Sequence, residues 1–331
     1  MNPGIYANIS NADYHGGDGA SNSMLKLLNE KSPLHLKASR DAANDNAPTA
    51  PTAAMRIGTA FHMLVLEPHL FDEQYVLPLV LPDDALSTTD DLKAALKEAG
   101  EKVSGTKAEL IERLKAVQPD AKIADELKQR YAVANAGRTI ISIEERDQLY
   151  AMRDALMAHP AASKLLTGAK YVTEYSAYAN DPLTGELVRV RPDCWRFDGI
   201  VVDLKTTDDA SPEGFARSIA KFGYDMQHPF YLDVLNMALE QGGADDFADH
   251  PMHASAFVFV AVEKTFPHAV EVYVLDGDSE AIGRAKYRRA LDRYAECRRT
   301  NVWPGYSDGS VQPITLPQWH MNQNAHLVGA A

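Results

Sequence analysis

Polar and apolar positions alternate with period two over residues 171–179 and 187–191, and Asp181, Pro182 and Gly185 lie between the two runs. That pattern predicts a β-hairpin, because successive strand side chains point to opposite faces and the intervening residues supply turn chemistry. Asp198-Gly199 predicts a second tight turn, into the apolar run Ile200-Val201-Val202-Asp203-Leu204-Lys205. Elsewhere the period lengthens to that of helices. Ser21 or Ser23 can cap a helix through residues 24–28, and Ser32-Pro33 restarts one over 34–39. Residues 41–54 carry no periodicity and two prolines, which predicts a mobile loop. Residues 55–66, closed by Glu67-Pro68, predict a buried helix with one polar side chain, His62. Further helices are expected over 120–131, over 142–159 behind a Ser142/Glu145 capping box, over 215–222 after Ser211-Pro212, and from about residue 225 to 241. On the last of these Gln227 and Tyr231 share one face. Two buried strands, 254–262 and 269–275, then precede a helix over 279–299, and the tail from Trp303-Pro304 is read as irregular.

Residues 87–118 break this rhythm with two short amphipathic helices, 92–100 and 106–116, around Val103-Ser104-Gly105. In Leu92, Leu96, Gly100, Ser104-Gly105, Lys107, Leu110, Arg113 and Leu114 the stretch resembles the SAP module, a helix–extended loop–helix that binds duplex DNA. Lys93, Lys97, Lys102, Lys107, Arg113 and Lys115 give it a basic face suited to phosphate. The alternative is a solvated helical hairpin stabilised by charge pairs.

Composition narrows the function classes. The chain has 331 residues, 45% of them hydrophobic, enough for a sizeable core. Its 33 basic and 46 acidic residues give a net charge of −13, so any nucleic-acid contact has to be local. Two distant cysteines, Cys194 and Cys297, exclude a disulfide framework, a cysteine-based zinc site and a four-cysteine iron–sulfur cluster. With no signal-like N-terminus and no long apolar run, a cytoplasmic location and no membrane partner are expected.

The candidate chemistry sits at the second turn. Two strands meeting at Asp198-Gly199 bring Asp193 near Asp203, and Lys205 points to the same face as Asp203. Taken alone, an Asp-x-Lys at a strand end is more often a surface salt bridge than a catalyst, and a single histidine on an apolar helix is more often a core residue than a ligand. Two carboxylates at a strand end do suit Mg²⁺, which takes one or two carboxylates plus water and substrate phosphate. A lysine beside them can position water or stabilise a charged transition state.

Pro192-Asp193 and Asp203-Leu204-Lys205 together resemble the motif of the PD-(D/E)xK nuclease superfamily. More narrowly, the chain is similar to the C-terminal nuclease domain of RecE-type exonuclease VIII. The shared features are Gly4-Ile5-Tyr6, Ile9-Ser10-Asn11, Asp13-Tyr14-His15, Gly58-Thr59-Ala60-Phe61-His62, Leu66-Glu67-Pro68, Arg191-Pro192-Asp193, Asp203-Leu204-Lys205-Thr206-Thr207, Gln227 with Phe230-Tyr231, and Trp303-Pro304. The resemblance implies an α/β restriction-endonuclease-like fold, a central mixed sheet flanked by helices. Its parts would be an N-terminal helical segment (1–86), the SAP-like insertion (87–118) and the nuclease core (119–331). It implies His62, Asp193, Asp203 and Leu204 as metal ligands, Lys205 as catalytic, Gln227 and Tyr231 as support for the site, and Glu174 as a further acid. Phosphate contacts are expected from Arg189 and Arg191, and more weakly from Arg217 and Lys221. The implied activity is Mg²⁺-dependent 5′ to 3′ resection of linear duplex DNA, with Mn²⁺ as a substitute and two ions per site. The implied partners are DNA ends, a RecT-type annealing protein and further copies of the chain in a ring. An endonuclease of the same fold and a non-catalytic DNA-binding accessory are the competing readings. The insertion lies outside the family's nuclease core.

Overall fold

The computed structural model describes residues 1–45, 52–242, 253–307 and 309–328. The chain forms two compact units. One comprises Met1–Ala50, Lys164–Ala261 and Glu271–Ala331; the other comprises Pro51–Ser163 and Val262–Val270.

In the first unit the main sheet has five strands in the order Val270–Tyr273, Ala256–Glu263, Ile200–Thr207, Cys194–Arg196, Tyr171–Thr173. Ile200–Thr207 is central and covered on both faces, which is why Val201, Val202, Asp203 and Leu204 are all buried instead of alternating. A second sheet sets Ser176–Asn180 between Gly4–Tyr6 and Leu187–Val190. Helix Tyr224–Gln241 packs against the Ser176–Asn180 sheet, helix Gly277–Thr300 packs on that helix and on Asn22–Glu30, and the shared core includes Leu25, Trp195, Phe230, Phe257 and Leu291. This is the mixed α/β, restriction-endonuclease-like architecture expected from the sequence.

The expected hairpin is present but broken. Tyr171–Thr173 pairs with Cys194–Arg196 in the five-stranded sheet, whereas Ser176–Asn180 pairs with Leu187–Val190 in the other. The chain changes sheets at Glu174, whose φ of 55° is left-handed. The return strand breaks at the same level, at Arg191-Pro192-Asp193, where proline cannot donate to a ladder. The Asp198-Gly199 turn forms as expected. Gly199 has φ 85°, and a Cβ there would come within 2.6 Å of the His253 carbonyl. Arg196 locks the turn with two bonds to Asp198, at 2.9 and 2.6 Å.

The second unit contains helices Ala53–Leu66 and Ile143–Ala158, the latter opened by the Ser142/Glu145 capping box. Ala53–Leu66 is amphipathic rather than wholly buried: Ala60, Phe61, Leu64 and Leu66 are inside, while Met55 is exposed. The stretch read as a loop is partly helical, since Pro33–Asp45 is one helix and Ala53 begins the next; residues 46–51 lie outside the described ones. Another helix not anticipated, Gln318–Val328, follows the irregular stretch after Trp303 in the first unit.

The insertion forms helices Thr89–Glu98 and Lys107–Val117, each started by a capping box, Thr88/Asp91 and Thr106/Glu109. Both begin at the cap, which for the first is a turn earlier than its apolar period suggests. Leu92, Leu96, Leu110 and Leu114 are fully buried together with Ile123. Each such leucine contributes about 1.5–3 kcal/mol, so this small cluster is a core of its own. A bridge between Leu86 and Ile123 brings the ends of the module together.

Candidate active site

The two breaks in the hairpin face one another, and the site is built on them. The Glu174 N–H points to the Asp193 carbonyl at 3.4 Å. Beyond the break, Cys194 pairs with Val202 and Trp195 with Val201. One further step of the same register sets Asp193 opposite Asp203. Asp193 is held there by the Leu204 N–H, which donates to its Oδ2 at 2.8 Å.

Asp203 is 1% exposed. Gln227 donates Nε2–H to its Oδ1 at 2.6 Å, and Lys205 Nζ lies 2.5 Å from its Oδ2. The lysine contact is an ion pair in close approach. Lys205 Nζ also sits 4.5 Å from the centre of the Tyr224 ring. Burial alone would lower the lysine pKa, but the Asp203 and Asp193 carboxylates outweigh it and hold the value above that of an ordinary lysine. Lys205 is therefore a fixed cation and no proton acceptor at neutral pH. Like charges directly opposite each other in a ladder repel, so the acid pair requires a cation between or beside it.

Helix Tyr224–Gln241 supplies the remaining wall. Gln227 is buried, and one turn further on the phenol of Tyr231 is pushed well up by burial, then by Tyr14, Asp203, Asp193 and Glu174. Those influences place Glu174, Tyr231 and Tyr14 around the two aspartates. Tyr14 comes from the N-terminal segment and is stacked under two guanidinium groups, Arg191 at 4.2 Å and Arg189 at 5.1 Å. Arg191 bonds Ser176 Oγ, Asn11 Oδ1 and the Ile9 carbonyl. Arg189, 4% exposed, bonds the carbonyls of His15, Gly17 and Asp18. Both arginines thus strap residues 9–18 to the hairpin, and this geometry, not phosphate, accounts for most of their donors. Arg217 lies 3.5 Å from Asp209 on the surface.

The structure gathers Glu174, Asp193, Asp203, Leu204, Lys205, Gln227 and Tyr231. His62 lies half-buried on Ala53–Leu66, in the other unit. The basic residues of the insertion are also in that unit, and several have partners there. Lys107 pairs with Asp125 at 2.6 Å and Lys115 with Glu126 at 2.9 Å, while Arg113 donates to the carbonyls of Lys102 and Ser104. Lys93 is 4.0 Å from Asp90. Lys97 and Lys102 are exposed. Sequence reasoning overlooked Tyr224 and gave Tyr14 no role. The signals available were the position of Tyr224 one turn before Gln227 and the Asp13-Tyr14-His15 string.

Among the described residues no three His, Cys, Asp or Glu side chains already converge on a metal position. The donor set nevertheless fits a hard divalent cation, which takes one or two carboxylates and completes its shell with water and substrate phosphate: two facing carboxylates stand at the site, one with a solvent-shielded oxygen. Leucine can contribute only its backbone carbonyl, and that of Leu204 lies between the two key strand positions.

A Pro-Asp leading into one strand, an Asp-x-Lys on its neighbour, and a glutamine from the second helix that follows, bonded to the second acid, make up the site plan of the PD-(D/E)xK nucleases. Residues 21–312 match the model of the PDDEXK-like domain of unknown function (DUF3799), and the chain belongs to that family. It is similar in fold to a candidate exonuclease from Eubacterium rectale, with a TM-score of 0.50, 10% identity, and coverage of 96% of this chain and 98% of that one. A structure of SSO0001 aligns with a TM-score of only 0.26 at 14% identity, covering 70% of this chain and 83% of the other, and bears on nothing here. None of the curated proteins is a match. No described helix is long and apolar enough to cross a membrane.

Proposed function

We propose that the protein is a Mg²⁺-dependent exodeoxyribonuclease that resects one strand of linear duplex DNA 5′ to 3′ and leaves a 3′ overhang for a RecT-type annealing protein. The observation that carries the reading is the facing pair Asp193 and Asp203 with Lys205 held against it. In hydrolysis water attacks phosphorus, the P–O3′ bond breaks, and one product carries a 5′-phosphate and the other a 3′-hydroxyl. A bound Mg²⁺ would activate water and neutralise phosphate charge. Asp193 and Asp203 would hold it, with the Leu204 carbonyl as a further oxygen, and Mn²⁺ fits the same ligands. Gln227 fixes the rotamer of Asp203. Lys205, permanently charged, stabilises negative charge on the phosphate as it builds up. Tyr224 lies under the ammonium group and limits where it can swing.

The SAP-like insertion gives a second, local contact with duplex DNA through Lys97 and its exposed neighbours, and a ring of copies would keep the enzyme on its substrate. The decisive experiment follows nucleotide release from linear duplex in Mg²⁺. Wild type should digest linear DNA, spare a covalently closed circle and release a 5′ label before a 3′ label. Asp203→Ala should lose at least about a hundredfold in rate. Rapid cutting of the circle would move the assignment to an endonuclease, and equal release by Asp203→Ala would remove the active site.

A further inference from the structure

Helices Pro212–Phe222 and Tyr224–Gln241 meet at Gly223, whose φ of 69° is left-handed. The aliphatic stem of Lys26 crosses this turn, and a Cβ on Gly223 would stand 3.3 Å from Lys26 Cδ. The junction sets one aromatic ring on either side of the glycine. Tyr224, the inner one, lies tilted against Phe259 and Phe215, with ring centres 6.0 and 6.3 Å away, and carries the Lys205 ammonium 4.5 Å from its own centre. Phe222, the outer one, is 42% exposed, and its ring centre is 5.7 Å from that of Tyr224 with 32° between the planes. Two contacts therefore lead from the cation of the acid site, through Tyr224, to an aromatic ring at the surface of the same unit.

Two more ammonium groups attend that outer ring. Lys221 Nζ lies 5.2 Å and Lys26 Nζ 5.6 Å from its centre, both within cation–π range. Each lysine has an ordinary reason to be where it is: Lys26 is 3.6 Å from Glu30, and Lys221 stands in the last turn of its helix, at the negative end of the dipole. A single exposed phenylalanine is also ordinary. Neither reason accounts for the convergence of both cations on one exposed ring, in a chain of net charge −13 and beside a site that already holds a third cation. One ring is far too little apolar surface for a protein partner, which needs on the order of 1,000 Å². A single strand of nucleic acid fits the chemistry, because each nucleotide brings a flat base for the ring and a phosphate for the ammonium groups.

We propose that Phe222, with Lys221 and Lys26, is a stacking platform for an unpaired nucleobase of the strand that enters the acid site. The destination of the strand rests on the nuclease reading; the stacking rests on the platform itself. Lys221 thereby acquires a phosphate, and Phe222 sets how the base next to it is held.

The test is equilibrium binding in chelator, where no hydrolysis occurs, of two single strands of equal length. One is made of ordinary deoxynucleotides and the other wholly of abasic residues, which keep the phosphates and remove the bases. Phe222→Ala should bind the ordinary strand about tenfold more weakly than wild type and the abasic strand equally well. Phe222→Trp should bind both as wild type does or more tightly. Lys221→Gln should weaken both strands alike and lower the salt slope by about 0.7. Phe222 is half-exposed at a helix end, so its variants are expected to fold, and the abasic strand checks that they do. Unchanged binding of the ordinary strand by Phe222→Ala would overturn the proposal. So would an equal loss on both strands, which would mean that the ring acts through the fold, or a Phe222→Trp variant as weak as Phe222→Ala. If wild type released no nucleotide in Mg²⁺ while the base-dependent loss stood, the nuclease reading would fail and the platform would not; release without any base-dependent loss would have the opposite meaning.

Discussion

Replacing Lys205 by methionine keeps most of the side-chain volume and removes the cation that faces the acid pair. The Lys205 side chain is 16% exposed and that of Asp203 2%, so little solvent screens the contact. Breaking a buried ion pair from one side costs about 3–5 kcal/mol, because the other charge remains buried. Gln227 still satisfies Asp203 Oδ1, which puts the expected loss near the lower end, about 3 kcal/mol. The pH dependence has a definite sign. Lys205 in the wild type has its folded pKa above the unfolded value, so its contribution is complete below the unfolded pKa and is lost only as pH rises through the folded one. It is thus flat between about pH 5 and pH 8. In Lys205→Met the two carboxylates face each other without a cation, their folded affinity for a proton rises, and the folded state is favoured as pH falls. The deficit should therefore shrink between about pH 8 and pH 5. Mg²⁺ bound by the folded acids but not by the unfolded chain should shrink it too. Urea unfolding in chelator and in Mg²⁺ at both pH values gives the deficit, and exchange of the Leu204 amide, bonded to Asp193, reports the site itself. A deficit under about 1 kcal/mol, or one indifferent to both pH and Mg²⁺, would refute the role given to this lysine.

Glu174→Gly should keep or raise stability by up to about 1 kcal/mol, because glycine accepts a positive φ, whereas Glu174→Val should lower it by more than about 1 kcal/mol. Equal effects in urea unfolding would mean that the left-handed turn is not the constraint. Gln227→Glu puts a third carboxylate against Asp203 and should lose more stability than Gln227→Ala in chelator, with Mg²⁺ narrowing the gap; the reverse order would count against the hydrogen bond. Cys194, whose thiol is pushed up to about 12 by burial and then by Asp193, should resist iodoacetamide at about pH 8 until the chain unfolds. Rapid labelling of the native protein at this residue would contradict its place in the core.

Much of the acid site is legible because it is local. Asp193, Asp198-Gly199, Asp203 and Lys205 lie in one short turn-linked pair of strands, and the strand period alone sets which side chains share a face. Helix spacing sets Gln227 and Tyr231 on one face, but only the family resemblance implies that this face belongs to the site. Glu174 hid a different fact: the alternation of residues 171–179 runs straight through it, and nothing in residue type announces that the chain changes sheets there. The start of the first insertion helix was misplaced because apolar period locates a buried face, whereas Thr88 and Asp91 locate the end of the hydrogen-bond ladder. Tyr14 and Tyr224 owe their positions to tertiary contacts with residues distant in sequence, which no window of periodicity contains. The basic face of the insertion was readable, but the acidic partners of Lys107 and Lys115, Asp125 and Glu126, lie beyond its boundary.

The strap formed by Arg189 and Arg191 also sets an order of assembly. Asp193 reaches Leu204 across 11 positions and Gln227 reaches Asp203 across 24, whereas Arg191 reaches the Ile9 carbonyl across 182. During synthesis the acids and their lysine can come together soon after the ribosome releases them, but Tyr14 has to wait, with the rest of the early chain, for a closure that costs entropy and slows folding. Residues 9–18 are consequently among the last parts of the site to settle. A chain that has not yet closed this strap would present an acid pair already formed with one wall still missing.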